Sequence, residues 1–360
     1  MATRPGARPD RPSRNRARRP SSSWSSGRCL AMLDELKGLP SRMPADNRKP
    51  VRSLPMITPT CFIGCDVGKK EIAVFHSNGG ASYILPNQPE ALARFVQTLD
   101  PGCLVLCEAT GGYEAALLDA LYSAGHACHR ADARKVKAFI RSLGTLAKTD
   151  AIDARMLARY GQERHDRLAR WKPWPAEQQK LHALVMARRD IVAAITAWNN
   201  RTKAPGAADI QPLIDPIVHS FRTQLKAIDG AIATLVRHSQ IAARARTLLA
   251  IPGIGATTAY SLLALMPELG TLSRKQAASL AGLAPHPRQS GSKDAYRRVR
   301  GGRPAVRNAI FMAALAAVRS HPLIKPFYQR LIQNGKKPIV AITAVMRKLI
   351  TFANAALKLS

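Results

Sequence analysis

The chain has 360 residues, of which 46% are hydrophobic and 5% aromatic, a composition compatible with two or three globular domains. It carries 55 Lys and Arg against 23 Asp and Glu, and this formal net charge of +32 exceeds what solubility requires and indicates a polyanionic partner. Nucleic acid is the leading candidate, and a membrane is disfavoured because there is no run of 18 apolar residues and the basic residues are spread along the whole chain.

Residues 1–58 are rich in Arg, Pro and Ser and hold 13 basic residues against four acidic ones. This composition predicts a disordered basic extension. Two interpretations stay open: an arm that adds salt-sensitive affinity for phosphate, or an upstream extension without a role, if Met43 or Met56 is the true start. No apolar segment of a signal peptide follows the first arginines, so we expect a cytoplasmic protein with reduced cysteines.

Residues 59–165 are predicted to form an α/β domain. From Cys61, short apolar stretches joined by Gly- and Lys-containing turns predict an antiparallel meander. A helix, an apolar strand, a Gly-Gly turn, a second helix and a short strand follow, which predicts a sheet covered by helices. The segments CFIGC and CLVLC have spacings that suggest zinc, but both are predicted buried strands, where cysteine is usually a small hydrophobic residue.

Four carboxylates stand out in this part of the chain. Asp66 and Glu108 each end a predicted strand, and they project from one sheet edge if the two strands are neighbours with matched ends. Asp150 and Asp153 share one face of a predicted helix. Each alone is more readily a turn, cap or ion-pair residue, but together they predict a site for Mg²⁺ or Mn²⁺, whose preferred ligands are oxygens. Glu114 is the main competing carboxylate and is assigned to the following helix.

Residues 175–247 contain two long helix-forming stretches separated by the segment KAPGAADIQP. They predict a helical hairpin or coiled coil, whose basic residues lie either on a solvated face or on one facing nucleic acid. From residue 248 onward we expect a helical domain that is strongly basic, since residues 281–360 hold 15 Lys and Arg and one acidic residue, Asp294.

Two elements of the C-terminal part are predicted to contact DNA. The first is a helix-hairpin-helix-like turn in which Gly253 and Gly255 let backbone N–H groups approach a phosphate, with a tight turn without ligand as the alternative. The second follows Ser290, where basic residues alternate with glycines in what we expect to be a flexible loop that clamps DNA. Its basic residues are Lys293, Arg297, Arg298, Arg300, Arg303 and Arg307.

Ser290, in the segment APHPRQSG, is either a turn serine or a nucleophile. A serine hydroxyl needs a base or a metal to activate it. His286, four residues upstream, is the weaker candidate. The predicted metal site is the stronger one, provided that the fold or a second subunit brings it to Ser290.

Five motifs occur in order within residues 61–358: IGCDVGKKEIAV, CEATGGYE, KTDAIDARMLARY, LLAIPGIGATTAYSLLA, and LAGLAPHPRQSGSK followed by RGGRPAVRNAIFMAALAA. Together they resemble the DEDD-type transposases of the IS110 insertion-sequence family, relatives of the Piv DNA invertases. The resemblance implies a RuvC-like domain of the RNase H type at 59–165, with Mg²⁺ bound by Asp66, Glu108, Asp150 and Asp153. It also implies a transposase domain at 248–360 that supplies Ser290 as the catalytic serine.

The resemblance further implies a structured guide RNA that pairs with target and donor DNA, and a dimer or tetramer with composite active sites. Residues 1–58 have no counterpart in the family. We therefore predict a Mg²⁺-dependent DNA transposase or site-specific recombinase that works through a phosphoserine intermediate. The alternatives are a RuvC-like junction-resolving nuclease, in which water is the nucleophile, and a non-catalytic nucleic-acid-binding protein.

Overall fold

The computed structural model describes residues 58–144, 149–290 and 293–359, with the backbone alone at 287–290 and 293–297. The predicted N-terminal extension therefore lies outside the described residues, apart from residue 58. Cys61–Ser360 forms one unit, in which a mixed α/β sheet is followed by a mainly helical region.

Five strands build the sheet of the N-terminal part. They are β1 (Cys61–Val67), β2 (Glu71–His76), β3 (Ser82–Pro86), β4 (Cys103–Glu108) and β5 (Ala127–Ala131), in the order β3-β2-β1-β4-β5. Strands β1 to β3 pair antiparallel, whereas β4 is parallel to both β1 and β5. Helices α1 (Pro89–Gln97) and α2 (Ala115–Ser123) precede and follow β4. The predicted meander and the α/β alternation are confirmed.

Different helices cover the two faces of the sheet, because successive strand residues point to opposite sides. Odd-numbered residues of β1 and β4, such as Ile63 and Val105, pack with α1 and α2. Even-numbered residues, such as Phe62 and Leu106, pack with α3 (Ala133–Ser142) and α4 (Asp150–Arg164). The described cysteines are all buried in these strands, where burial raises the pKa of Cys128 to about 11 and keeps its thiol protonated.

Helix α4 crosses β1 in backbone contact at Gly64. A Cβ atom at Gly64 would lie 1.9 Å from the carbonyl oxygen of Ala154. One side of Gly161, later in the same helix, lies against Leu106 and Phe62. Because Ala154 meets Gly64 and Gly161 meets the earlier strand residue Phe62, α4 runs antiparallel to β1 and begins near the end of that strand.

The remaining chain is helical apart from one hairpin. Helices α5 (Ala176–Arg201) and α6 (Gln211–Arg237) pack along each other, and Arg188 Nε lies 2.6 Å from Asp229 Oδ1 between them. The other helices are α7 (Ile241–Leu249), α8 (Ala256–Leu265), α9 (Arg274–Leu280), α10 (Pro304–Ser320), α11 (Ile324–Gln333) and α12 (Pro338–Leu359). Helix α12 is long and apolar enough to span a membrane, but half of its apolar stretch is buried in the core formed with α10, as expected for a core helix.

The prediction of a flexible loop after Ser290, within an otherwise all-helical region, is wrong. Two strands form an antiparallel hairpin here, β6 (Pro285–Ser290) and β7 (Lys293–Val299), with Pro285 opposite Val299 and Ser290 opposite Lys293. The usual strand signal is missing, because a two-stranded ribbon rich in basic residues lacks the alternation of apolar and polar residues that marks a half-buried strand. The prolines are tolerated because both strands are edge strands.

We expect Gly64→Ala to destabilise the protein by about 3 kcal/mol, because the added methyl group meets helix backbone that cannot yield unless α4 moves. Urea unfolding of the variant and the wild type measures this difference. Gly230→Ala in α6 is the matched control, since a Cβ there meets nothing within 4 Å, and alanine in a helix is expected to add about 0.5–1 kcal/mol. Equal stability of Gly64→Ala and wild type would contradict the backbone contact.

Candidate active site

The parallel pairing of β1 and β4 brings Asp66 and Glu108 to one edge of the sheet. Cys65 lies opposite Cys107, so the residues that follow them are neighbours near the two strand ends. Both carboxylates have even numbers and belong to the sheet face that α4 covers. Each is half-buried. The sequence prediction that Asp66 and Glu108 share a sheet edge required neighbouring strands with matched ends, and β1 and β4 meet this condition.

Helix α4 carries Asp150 and Asp153 in its first turn. Since Ala154 lies against Gly64 and the helix runs antiparallel to β1, this first turn extends beyond Gly64 toward the end of β1, where Asp66 lies. Asp153 is half-buried and Asp150 is exposed. All four predicted carboxylates therefore lie on one face at one edge of the sheet.

Three of these carboxylates have no ionic partner in the part of the chain that the structure describes. Among the described residues, the side chains of Glu108, Asp150 and Asp153 form neither a hydrogen bond nor an ion pair, although the chain is strongly basic. The helix that bears the two aspartates is capped by Thr149, whose side chain accepts a hydrogen bond from the Ile152 N–H at 3.3 Å. Negative charge in the first turn also stabilises the helix through its dipole, typically by about 0.3–1 kcal/mol. The two aspartates therefore have a structural role whether or not a metal binds.

The donor set fits a hard divalent cation such as Mg²⁺ or Mn²⁺, which prefers carboxylate oxygens and would offset the repulsion between the carboxylates. Within the described ranges, no three Asp, Glu, His or Cys side chains converge closely enough to hold one ion. The backbone thus brings the donors to one edge, and ligation by three or more of them requires their side chains to rotate toward the ion.

Glu114, the competing carboxylate, is fully engaged inside the protein. It lies at the start of α2, is 1% exposed, and accepts hydrogen bonds from Thr110 N and Oγ1, from Gly112 N at 2.9 Å and from Arg130 Nε at 2.7 Å. Burial raises the pKa of Glu114, but hydrogen bonds from its own backbone N–H, Arg130 and Gly112 outweigh burial and hold it below the usual value. Its role is to fix the turn after β4.

Ser290 is the last residue of β6, in the hairpin. His286 lies on the same strand opposite Arg298, four residues from Ser290, a separation of about 14 Å along a strand at ~3.4 Å per residue. A general base must lie within hydrogen-bonding reach of the hydroxyl or one water molecule away. This separation removes His286 as the base for Ser290 within one hairpin.

Arg303 and Arg307, two of the predicted DNA contacts, are engaged within the protein, whereas the side chains of Lys293 and Arg297 lie outside the described ones. Arg303 donates to both carboxylate oxygens of Glu268, at 2.8 and 2.7 Å, and to the Leu265 carbonyl oxygen at 2.8 Å. Arg307 donates to the Gly282 carbonyl oxygen at 3.1 Å. The guanidinium fork of Arg303 is therefore occupied by a carboxylate, and a phosphate contact by Arg303 stays a prediction. By contrast, Arg298 and Arg300 are exposed.

The turn between α7 and α8 contains Gly253 and Gly255. Gly253 has a φ of 94°, and a Cβ atom there would lie 2.7 Å from the Ala317 Cβ of α10. Close packing of the turn against α10 therefore requires glycine at this position. Packing alone explains Gly253, which agrees with the alternative of a tight turn without a ligand. Gly255 is exposed, with open space beside it, and leaves the N-terminus of α8 at the surface.

Comparison with known proteins gives matches along most of the chain. A transposase family model of the DEDD type from IS110 elements matches residues 63–204, and the model of the transposase IS116/IS110/IS902 family matches residues 245–329. The pilin gene-inverting protein of Moraxella lacunata is 31% identical over 259 residues, which is 71% of this chain and 80% of the relative, and that of Moraxella bovis is equally similar. An uncharacterized 43.6 kDa protein of insertion element IS110 from Streptomyces coelicolor is 28% identical over 180 residues, covering 48% of this chain and 44% of the relative.

Proposed function

This chain belongs to the IS110 family of transposases and is a DNA transposase or recombinase, and on that premise we propose that it cuts and rejoins DNA through a carboxylate metal site and Ser290. One observation above all supports the proposal: the four carboxylates Asp66, Glu108, Asp150 and Asp153 lie on one face at one edge of the sheet. In so basic a chain, such a grouping is difficult to explain without a cation.

The chemistry follows from the residue types. When bound, a divalent cation would lower the pKa of the attacking hydroxyl and neutralise charge on the transferred phosphate. Ser290 Oγ attacks the scissile phosphorus, so that a new P–O bond forms as the bond to a deoxyribose oxygen breaks. The serine proton passes to a carboxylate or to water, and the leaving oxygen takes up a proton. The phosphoserine ester conserves the bond energy, so a second DNA hydroxyl displaces Ser290 and rejoins the strand without ATP.

The approach of Ser290 to the carboxylates, within one chain or between two, is part of this proposal. A dimer or tetramer is supported by apolar side chains exposed on the α5–α6 hairpin, among them Leu213, which is 72% exposed, and Ile217 and Val192. A second copy of the chain that packs on these apolar side chains could bring the β6–β7 hairpin of one subunit, with Ser290, to the carboxylates of the other.

We also propose that a structured RNA encoded by the element guides the protein to target and donor DNA. The proposal is supported by the net charge of +32 and by the family to which the chain belongs. Acting on chromosomal DNA, the protein is expected in the bacterial cytoplasm, associated with the nucleoid.

Cleavage of DNA that carries the element ends tests the proposed function. The protein purified with its copurifying RNA is expected to cut with Mg²⁺ or Mn²⁺, to stop when EDTA removes the ion, and to recover when Mg²⁺ is restored. RNase treatment is expected to abolish site-specific cutting. Cutting that persists in EDTA would contradict the metal site, and site-specific cutting after RNase would contradict RNA guidance.

A further inference from the structure

A cleft of about 880 Å³ opens on the surface of the C-terminal part, beside the base of the β6–β7 hairpin. Its walls come from α9, the hairpin, α11 and α12, elements that are far apart in the sequence. The cleft is lined by five cationic side chains and by no acidic one: Arg274, Lys275, Arg298, Arg347 and Lys348.

The cations of this cleft have no acidic partner in the described part of the chain. None of the five has a carboxylate within ion-pairing distance among the described residues, whereas Arg130, Arg188 and Arg303 each have one. The sequence gives the reason, because Asp294 is the only acidic residue between positions 269 and 360. Like charges gathered at one cleft repel one another until an anion lies between them.

Lys348 is partly buried in the wall of this cleft. Burial first, and then the positive charges of Arg330 and Arg274, lower the pKa of its ammonium group. Its Nζ lies 4.4 Å from the centre of the Phe327 ring and 5.7 Å from that of Phe352. Two aromatic rings thus hold this cation in place within the cleft wall.

The rest of the cleft is mostly apolar, apart from two threonines of α12. Leu283, Val299 and Val340 line it, together with Ile339, which is 61% exposed. Cationic and apolar side chains side by side in one cleft complement a sugar–phosphate backbone, whose phosphates contact Arg and Lys while its sugars and bases contact apolar surface.

We propose that this cleft binds the sugar–phosphate backbone of a nucleic-acid strand, through residues other than those of the carboxylate edge. The proposal rests on the proposed action on DNA and adds a location to it. Ser290 is five residues along β6 from Pro285, which lines the cleft. That distance is about 17 Å at ~3.4 Å per residue, or about five nucleotides at ~3.4 Å each. A strand held in the cleft is thereby kept within a few nucleotides of the serine.

A double variant, Arg274→Gln with Arg347→Gln, tests the cleft, since both side chains are exposed and glutamine suits helices. The matched control is Arg319→Gln with Lys358→Gln, which removes the same charge from exposed helical positions outside the cleft. Binding to a duplex DNA of unrelated sequence and to a single-stranded RNA is measured over a range of salt. We expect the cleft variant to bind about tenfold more weakly than the control, and its logarithmic salt slope to fall by about two for duplex DNA.

The two probes distinguish the source of the backbone. If the cleft variant loses binding only to DNA, the cleft binds DNA, and if it loses binding only to RNA, the cleft binds RNA. Weaker binding to both probes indicates that both nucleic acids use the cleft. A cleft variant that binds both probes as the control does overturns the proposal while leaving the proposed function intact. Wild-type protein that binds neither probe overturns both.

Photo-crosslinking gives a second measurement that does not depend on affinity. A crosslinking amino acid at Ile339, in the cleft, is expected to label the bound strand, whereas the same group at Met312, 64% exposed on α10 and outside the cleft, is not. Equal labelling from the two positions would contradict binding in the cleft.

Discussion

Asp66→Asn is expected to lower the rate of Mg²⁺-dependent DNA strand cleavage by about 10³-fold or more. The substitution keeps the shape of the side chain but removes its charge and one oxygen ligand at the sheet edge where Glu108, Asp150 and Asp153 also lie. A catalytic cation typically stabilises the transition state by several kcal/mol, and each ~1.4 kcal/mol corresponds to a factor of ten in rate. Cleavage is measured on DNA with the element ends under single-turnover conditions, with excess Mg²⁺.

Asp119→Asn is the matched control. Asp119 is an exposed aspartate of α2, the helix that covers the opposite face of the same sheet, so its loss should change cleavage little. Binding of DNA by both variants should stay close to that of the wild type, because the cationic surfaces are unchanged. If Asp66→Asn leaves every measurable activity as in the wild type, the four carboxylates are structural, and the protein binds nucleic acid without this metal chemistry.

Ser290→Ala is expected to abolish a covalent protein–DNA adduct while leaving DNA binding intact. The hydroxyl oxygen of Ser290 is the atom that would carry the phosphodiester, and alanine has no atom to replace it. Wild-type protein is incubated with end-labelled DNA and Mg²⁺, denatured, and separated on a gel, where an adduct migrates with the protein. Strand exchange should be lost together with the adduct.

Ser292→Ala is the natural control for this experiment, since it is the only other serine within the motif that contains Ser290. It should retain the adduct. If the wild type cuts DNA with Mg²⁺ but forms no adduct, water is the nucleophile and the protein acts as a junction-resolving nuclease. If the adduct is lost in Ser292→Ala and kept in Ser290→Ala, the nucleophile was assigned to the wrong serine.

Short-range patterns in the sequence were sufficient for much of the N-terminal part. The runs CFIGCD and CLVLCE predicted strands that end in carboxylates, and both strands are present with their ends in register. The helical spacing of Asp150 and Asp153 likewise predicted the first turn of α4. Such features are local, because backbone periodicity and strand ends depend on neighbouring residues.

The C-terminal part was harder to predict, because its basic residues look alike in the sequence. Arg303 and Arg298 lie in the same basic segment, yet Arg303 is paired with Glu268 and Arg298 lines the cleft. The isolated Glu268, one of two acidic residues after residue 250, was a signal that a nearby arginine would be neutralised. The hairpin was missed because its strands lack apolar alternation.

By itself, the sequence determined the large positive charge of the chain and the mixed α/β class of its N-terminal part, and it predicted which four carboxylates form the site. The tertiary structure decided which cations are free to bind an anion, and that Gly64 and Ala154 set the close approach of α4 to β1. It also brought Arg274 and Arg347 to one cleft across 73 positions of the chain. The physical reason is that ion pairing and close packing depend on which distant residues meet in space, and the periodicity of a segment carries no information about its partners.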